Sequence, residues 1–160
     1  MKLLTDANEY GLRAVIWLAQ HRGESFKVKE LALHIDAAPG YLIKVLQNLA
    51  KSGILSARRG NQGGFTLEAD PEHLSALDII NAIDGFERIS KCPMSLSDHA
   101  TSLCPVHSHV DRAIAQLEEG FRQLTIGDVL QQASAQEPGC EKLMAAPCLT
   151  AYGVDLIPSE

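Results

Sequence analysis

The sequence predicts a mainly α-helical fold with a small β-hairpin, arranged as a winged helix-turn-helix followed by a long helix. Three observations predict this fold class. Apolar residues recur every three or four positions over several segments of the first half of the chain. A glycine-rich turn at residues 58–64 separates two short apolar segments. A long amphipathic segment then follows between residues 109 and 124.

The first half of the chain is predicted to hold three helices, at residues 8–21, 27–35 and 40–52. Asp6 or Asn8 suits the N-cap of the first helix, because a short side-chain oxygen accepts hydrogen bonds from the N–H groups at a helix start. Pro39 is favoured at the first position of the third helix, and Gly53 is favoured just after its end. Two short helices joined by a tight turn are typical of a helix-turn-helix.

The third predicted helix has two chemically different faces. Its apolar residues fall at helical spacing and are predicted to face the core: Leu42, Val45, Leu46 and Leu49. The opposite face carries cations and hydrogen-bond donors, which are the groups that contact phosphates and base edges of duplex DNA. On this helix and the turn beyond it, the candidate DNA-binding residues are Tyr41, Lys44, Gln47, Asn48, Lys51, Arg58 and Arg59.

A β-hairpin is predicted from two short apolar segments at residues 54–57 and 64–67. The turn at residues 58–64, which joins them, contains three glycines, which tolerate the positive φ angles of a tight turn. Arg58 and Arg59 begin this turn, where they could contact a phosphate or enter a minor groove. We therefore interpret the hairpin as the wing of a winged helix-turn-helix.

The second half of the chain is predicted to contain, in order, a fourth helix at 74–86, a loop at 88–107, a long helix at 109–124, a short helix at 126–133 and a flexible tail. The fourth helix would bury Leu74, Leu77, Ile80 and Ile83. Thr125-x-x-Asp128 resembles a capping box at the start of the short helix. The long helix has a wide apolar stripe, which favours a dimerisation helix over packing onto its own domain.

Charge is distributed unevenly along the chain. The net charge is −6, but residues 1–66 carry nine Lys/Arg and five Asp/Glu, whereas residues 67–160 carry five and fifteen. A protein that binds a polyanion needs positive charge only where the phosphates lie. The composition is that of an ordinary globular chain, and it lacks an apolar run long enough to span a bilayer or a signal peptide. We expect a cytoplasmic protein with no membrane partner.

Cys92, Cys104 and His107 fall within 16 residues of the predicted loop. In a cytoplasmic chain, cysteines at this density are more typical of metal ligands or redox-active thiols than of a disulfide framework. Zinc is one metal that such a Cys/His set could hold. Cys140 and Cys148 lie in the tail, and we interpret them as incidental.

Four segments of the chain resemble successive signatures of the IscR/NsrR-type (Rrf-two) family of bacterial winged-helix regulators. They read NEYGLRA, PGYLIKVLQNLAKSGIL, RRGNQGGFTL and LDIINAIDG, and the resemblance spans about residues 1–130. It implies a homodimer that binds palindromic operator DNA through the third helix and the wing. It also implies an iron–sulfur cluster of the two-iron two-sulfur type, loaded with the help of iron–sulfur donor proteins.

The cysteine loop departs from the pattern of the family's cluster-binding members, which place three cysteines at C-x5-C-x5-C. Here Asp98 stands at the middle position, between Cys92 and Cys104. Histidine can replace cysteine in a two-iron cluster and raises its reduction potential, so His107 is a third candidate ligand. The fourth could be Asp98 or Glu9, which aligns with a first-helix carboxylate ligand of some relatives. His99 and His109 are further candidates.

Two other interpretations remain open at this stage. The chain could be a metal-free winged-helix regulator that responds to oxidation of Cys92 and Cys104, or to a small ligand. It could also be a small zinc enzyme, but the sequence lacks a general base near the ligands, a nucleophile motif and a phosphate-binding loop, so we do not expect an enzyme.

These expectations divide the chain into four parts: a DNA-binding domain at 1–86, a sensor loop at 87–108, a dimerisation helix with a short following helix at 109–133, and a flexible tail at 134–160.

Overall fold

The computed structural model of the chain describes residues 3–60, 63–92 and 103–135. Their elements are α1 (Asp6–Gln20), α2 (Val28–His34), α3 (Pro39–Lys51), β1 (Leu55–Arg58), β2 (Gly64–Leu67), α4 (Ala76–Ile83), α5 (Pro105–Gln123) and α6 (Ile126–Ala135). The two strands pair antiparallel, with Leu55 opposite Leu67. Helices with a small hairpin confirm the predicted fold class. No described helix is both long and apolar enough to cross a bilayer.

The hydrophobic core lies where α1, α3 and α4 pack together. The side chains of Leu18, Leu46 and Ile80 are buried there almost completely. The predicted inward face of α3 is confirmed, since all four of its apolar residues are buried. Burying one such leucine or isoleucine stabilises the fold by roughly 1.5–3 kcal/mol, so the apolar face of α3 holds this helix firmly against the core.

The N-cap of α1 was predicted wrongly. The helix begins at Asp6, and Thr5 is its N-cap rather than Asp6 or Asn8. The Thr5 hydroxyl oxygen accepts a hydrogen bond from the backbone N–H of Asn8 at 3.2 Å. Asn8 already lies in the first turn of α1 and is only 2% exposed, so its side chain faces the core instead of capping the helix.

The hairpin and α4 differ slightly from the predicted limits. β1 begins one residue later than predicted, at Leu55. α4 begins at Ala76 because Ser75 is its N-cap: the Ser75 hydroxyl oxygen accepts from the Asp78 N–H at 3.1 Å, and the Asp78 carboxylate accepts from the Ser75 N–H at 3.0 Å. Of the predicted apolar face, Leu74, Leu77 and Ile80 are buried and Ile83 is half-buried.

The predicted loop at 88–107 is wrong at its C-terminal end, because α5 begins at Pro105. Proline is often a loop residue, but at the first position of a helix its missing N–H removes no intrahelical hydrogen bond. Cys104 is therefore an N-cap, and His107 lies in the first turn of α5. Residues 93–102 of the predicted loop, which include Asp98 and His99, lie outside the described residues.

The predicted capping box at the start of α6 is confirmed. The Thr125 N–H and hydroxyl donate to Asp128 Oδ2 at 3.0 and 2.7 Å, and the Asp128 N–H donates to Thr125 Oγ1 at 3.0 Å. Ile126 is fully buried, and its N–H donates to the carbonyl of Leu74 at 2.9 Å. These contacts pack the start of α6 against the core formed by the N-terminal half of the chain. Residues 136–160, with Cys140 and Cys148, lie outside the described residues.

Candidate nucleic-acid interface and metal centre

The polar side of α3 faces away from the core. Lys44, Gln47 and Lys51 are exposed, whereas Asn48 is half-buried. Tyr41 lies at the start of the same helix and is 44% exposed. A helix whose apolar side is buried and whose polar side is free has the arrangement required of a helix that enters a major groove. We call these five residues the reading face.

Tyr41 is held in position by Tyr10, which is not among the candidate DNA-binding residues. The ring of Tyr10 in α1 meets it edge-to-face, with ring centroids 5.9 Å apart and planes at 73°. Such an aromatic pair contributes about 0.5–1.5 kcal/mol beyond simple burial. Helical spacing predicts which residues are buried but not which ring they contact, so the sequence does not predict the Tyr10–Tyr41 pair.

The wing presents its arginines at the end of β1. Arg58 is the last residue of β1, opposite Gly64, and Arg59 follows it; both are exposed. Gly60 has a φ of +112°, a backbone conformation that glycine adopts without strain. Gly64 lies so close to an adjacent segment that an added Cβ would come within 2.5 Å of the Phe26 carbonyl oxygen. Residues 61 and 62 of the turn are not among the described residues.

A neighbouring segment fastens the wing to the rest of the fold. The N–H of Phe65 donates to the carbonyl of Phe26 at 2.9 Å, and the N–H of Phe26 donates back to Phe65 at 3.1 Å. Arg22 pairs with Asp70 at 3.3 Å just beyond β2. The described strands of the hairpin are therefore held to the segment between α1 and α2, by main-chain hydrogen bonds at Phe26 and by the ion pair of Arg22.

No described carboxylate forms an ion pair with a cation of this surface. Within residues 3–60, 63–92 and 103–135, the cations that form ion pairs are Arg22, His73, Arg88 and Arg122. None of the lysines of the reading face and neither wing arginine takes part in them. These charges are available to phosphates, which is the sequence-independent part of DNA affinity.

Two of the candidate metal ligands are in direct contact. Cys104 Sγ lies 3.2 Å from His107 Nδ1 and accepts a hydrogen bond from the His107 backbone N–H at 3.5 Å. Both residues are half-buried. The contact follows from the start of α5, since an N-cap side chain points towards the third residue of its helix. This contact is not predicted from the sequence, because both residues fall in the predicted loop at 88–107.

The other described candidate ligands are not part of the Cys104–His107 contact. Cys92 is half-buried, and Glu9 and His109 are exposed on α1 and α5. Among the described residues, no three His, Cys, Asp or Glu side chains converge on a common point suitable for a metal ion. In the described part of the chain, the protomer brings Cys104 and His107 into direct contact, and neither Cys92 nor Glu9 completes a metal site with them.

The Cys104–His107 pair fits a metal or an iron–sulfur cluster in its chemistry. A thiolate and an imidazole are the donors that hold zinc and mixed-ligand iron–sulfur clusters. Metal–ligand bonds of about 2.3 Å to sulfur and 2.0 Å to nitrogen place two tetrahedral ligand atoms about 3.5 Å apart. The observed 3.2 Å would need to widen only slightly for one metal to bind both atoms.

Known transcriptional regulators resemble this chain in sequence. Residues 4–132 match the family described as "Rrf2: Iron-dependent Transcriptional regulator". An HTH-type transcriptional regulator assigned in Aquifex aeolicus is 29% identical over 131 residues, which are 80% of this chain and 91% of that one. The HTH-type transcriptional regulator NsrR of Bacillus licheniformis is 25% identical over 130 residues, or 79% and 91% of the two chains.

A solved structure has the same fold over most of its length. T. potens IscR superposes with a TM-score of 0.70 at 26% identity, covering 87% of this chain and 94% of that one. The family match covers more than half of the chain and includes the whole of the reading face and the wing. The chain belongs to the Rrf2 family of DNA-binding transcriptional regulators.

Proposed function

We propose that this protein is a homodimer that binds a palindromic operator through the reading face and the wing. The observation that carries this proposal is the pair of opposed faces on α3, one buried in the core and the other free. Family membership supports it, because the family is described as one of transcriptional regulators. The lysines would contact phosphates, and Gln47 and Asn48 have the amide groups that pair with adenine edges.

Helix α5 is proposed as the dimerisation helix. It spans Pro105–Gln123, and none of its residues is buried within the protomer. Val106, Val110 and Leu117 are 69%, 42% and 37% exposed, although helical spacing places them on one side. A helix of this length with an uncovered apolar stripe is suited to a two-fold contact with its own copy. Dimerisation would set the separation of the two reading faces.

We further propose that Cys92, Cys104 and His107 hold an iron–sulfur cluster, with Glu9 or Asp98 completing the set. Support comes from the Cys104–His107 contact and from the family's description as iron-dependent. When bound, such a cluster would supply a redox centre whose potential is raised by the histidine ligand. Zinc bound to the same residues is the less favoured occupant.

The placement of these ligands suggests how a signal would reach DNA. Cys104 and His107 lie at the first turn of α5, the helix proposed to join the two protomers. A change in how these side chains are held would therefore shift the start of that helix. Two reading faces must meet half-sites about one helical turn apart, so a small change at the dimer contact would alter operator affinity as a shift between two populations.

A second candidate is a regulator that holds no metal and responds to thiol oxidation. The observation that favours it is the same Cys104–His107 contact, since an imidazole beside a thiol can accept its proton and activate it as a nucleophile. Oxidation would then join Cys104 to Cys92. A small ligand in place of oxidation is supported by no described feature.

The two candidates differ in what purified protein contains. The protein would be purified without oxygen, and its visible spectrum, iron and acid-labile sulfide would be measured for the parent, Cys104→Ser and Cys148→Ser. A cluster predicts a coloured parent with about two irons per protomer. Cys104→Ser should be colourless and Cys148→Ser should match the parent. Colourless parent protein that takes up no iron on reconstitution would exclude the cluster and leave the DNA-binding proposal intact.

Operator binding under oxidant would then decide the thiol candidate. In metal-free protein, oxidation should change operator affinity, and the change should vanish in both Cys92→Ser and Cys104→Ser. An oxidant effect that persists in both variants contradicts the thiol switch.

A further inference from the structure

The segment between α4 and Cys92 is fastened along α5 by side chains that the proposed function does not use. We call residues 86–92 the linker. The ring of Phe86 stacks on Phe121, with centroids 5.7 Å apart. Arg88 donates to both carboxylate oxygens of Asp111, through Nε and Nη2, each at 2.7 Å, and to Glu118 through Nη1 at 3.0 Å. One guanidinium thus uses all three of its nitrogens on α5.

These contacts show that the linker runs antiparallel to α5. Phe86 contacts Phe121, near the C-terminal end of α5. Further along the linker, Ile89 contacts Asp111, which is closer to the N-terminus of α5 and accepts a hydrogen bond from the Ile89 N–H at 3.0 Å. Three more residues bring the chain to Cys92, a reach of at most about 10 Å. The seven residues from Asp111 back to Cys104 rise by about 10.5 Å along a helix. The linker and α5 therefore lead to the same end of the molecule.

Arginine has the chemistry needed to fix the position of the linker along α5. Its planar fork matches a carboxylate through two parallel hydrogen bonds, which lysine cannot reproduce. Asp111 and Glu118 are two helical turns apart, so binding both restrains movement of Arg88 along α5 as well as across it. The two carboxylates are only 22% and 20% exposed. Hydrogen bonds from Arg88 lower the pKa of Asp111, which keeps this carboxylate ionised.

We propose that Arg88 is a positioning residue for the cysteine site: by clamping the linker to α5, it keeps Cys92 within reach of Cys104 and His107. The role of those three residues rests on the proposed function. The clamp itself does not need a metal, so it can be tested on metal-free protein.

The test measures how close the two thiols are held. In full-length metal-free protein with Cys140→Ser and Cys148→Ser, the remaining thiols are equilibrated with glutathione and its disulfide. Each protein dithiol is oxidised to an intrachain Cys92–Cys104 disulfide while one glutathione disulfide is reduced to two glutathiones. The equilibrium constant gives the effective concentration of one thiol at the other.

Loss of the clamp should lower this effective concentration. Arg88→Gln should reduce it by about tenfold or more, because the linker is then free to explore a larger volume. Arg88→Lys should give an effective concentration between those of Arg88→Gln and the parent, because lysine keeps the positive charge but lacks the planar guanidinium. Asp111→Asn should lower the effective concentration by about as much as Arg88→Gln does. If both residues act through one contact, the double variant should lower it no further than either single variant.

Arg122→Gln is the matched control. Arg122 pairs with Glu119 at 3.3 Å on the exposed side of the same helix, so the variant removes the same charge without touching the linker. It should leave the effective concentration unchanged. If Arg88→Gln lowers thermal stability, Arg88→Lys and Asp111→Asn provide the same comparison.

The proposal is overturned if Arg88→Gln and Asp111→Asn both stay within twofold of the parent, or if the parent forms no intrachain disulfide at any glutathione ratio. Iron loading is measured separately on the same variants. A parent without iron but with a large Arg88 effect removes the cluster and keeps the clamp. A parent with iron and no Arg88 effect removes the clamp and keeps the cluster.

Discussion

Removing both wing arginines gives the sharpest prediction for DNA binding. Arg58 and Arg59 are exposed and make no ion pair with another described residue, so their replacement by alanine should not disturb the fold. A dimer presents two wings and therefore four guanidinium groups. Each phosphate contact contributes about 0.9 to the slope of log affinity against log salt concentration.

The expected effect follows directly from that count. The slope for Arg58→Ala/Arg59→Ala should be less steep by about 3.6 if all four groups contact phosphates, and by about 1.8 if one arginine of each wing does. At 0.1 M salt the larger value corresponds to an affinity on the order of a few thousandfold weaker, whereas affinities extrapolated to 1 M salt should nearly coincide.

Fluorescence anisotropy of a labelled duplex, titrated at several salt concentrations, measures the slope. The double variant Arg112→Ala/Arg122→Ala removes the same charge from α5 and is the control, after sedimentation shows that it is still a dimer. A wing variant whose slope stays within about 0.5 of the parent would remove the wing from the DNA contact. Equal losses in the wing variant and the control would show a general charge effect instead.

Three other predictions concern the structure that supports this surface. Leu46→Ala empties a fully buried site on α3 and should lower the free energy of unfolding by about 2–5 kcal/mol in urea titrations, whereas the exposed Gln47→Ala should change it by less than about 0.5 kcal/mol. Gly64→Ala places a Cβ against the Phe26 backbone and should cost about 1–3 kcal/mol and weaken operator binding; unaltered binding and stability would show that the wing tolerates displacement. Hydrogen bonds from Thr125 lower the pKa of Asp128, so the stability they confer is present above the ordinary aspartate value of about 3.9 and is lost as the pH falls through the lowered pKa. Asp128→Asn should therefore be less stable than the parent at pH 7 and approach it in acid, and a difference independent of pH would contradict this assignment.

Local patterns in the sequence predicted the elements well. The spacing of Leu42, Val45, Leu46 and Leu49 identified the buried face of α3, because side chains three or four apart share one side of a helix. The Thr125–Asp128 box was equally predictable, since both partners lie within one turn. The glycine-rich turn located the hairpin to within one residue.

Contacts between distant segments could not be predicted in this way. Arg88 meets Asp111 and Glu118 across 23 and 30 residues of sequence, and no local periodicity connects them. The Cys104–His107 contact is local, but it was missed because Pro105 was interpreted as a loop residue rather than as the first residue of a helix. That the reading face and the wing contact DNA stays a prediction.

Footprinting on a selected duplex shows whether the protein binds DNA as a two-fold dimer through its wings. The protein, purified without oxygen, would be used to select sequences from a pool of random duplexes, and the bound sequence would be probed with hydroxyl radicals. Our account predicts two protected half-sites related by a two-fold axis, with centres about 34–36 Å apart, and loss of protection in Arg58→Ala/Arg59→Ala. Failure to enrich any duplex, or a single unsymmetrical footprint that survives loss of both arginines, would contradict it.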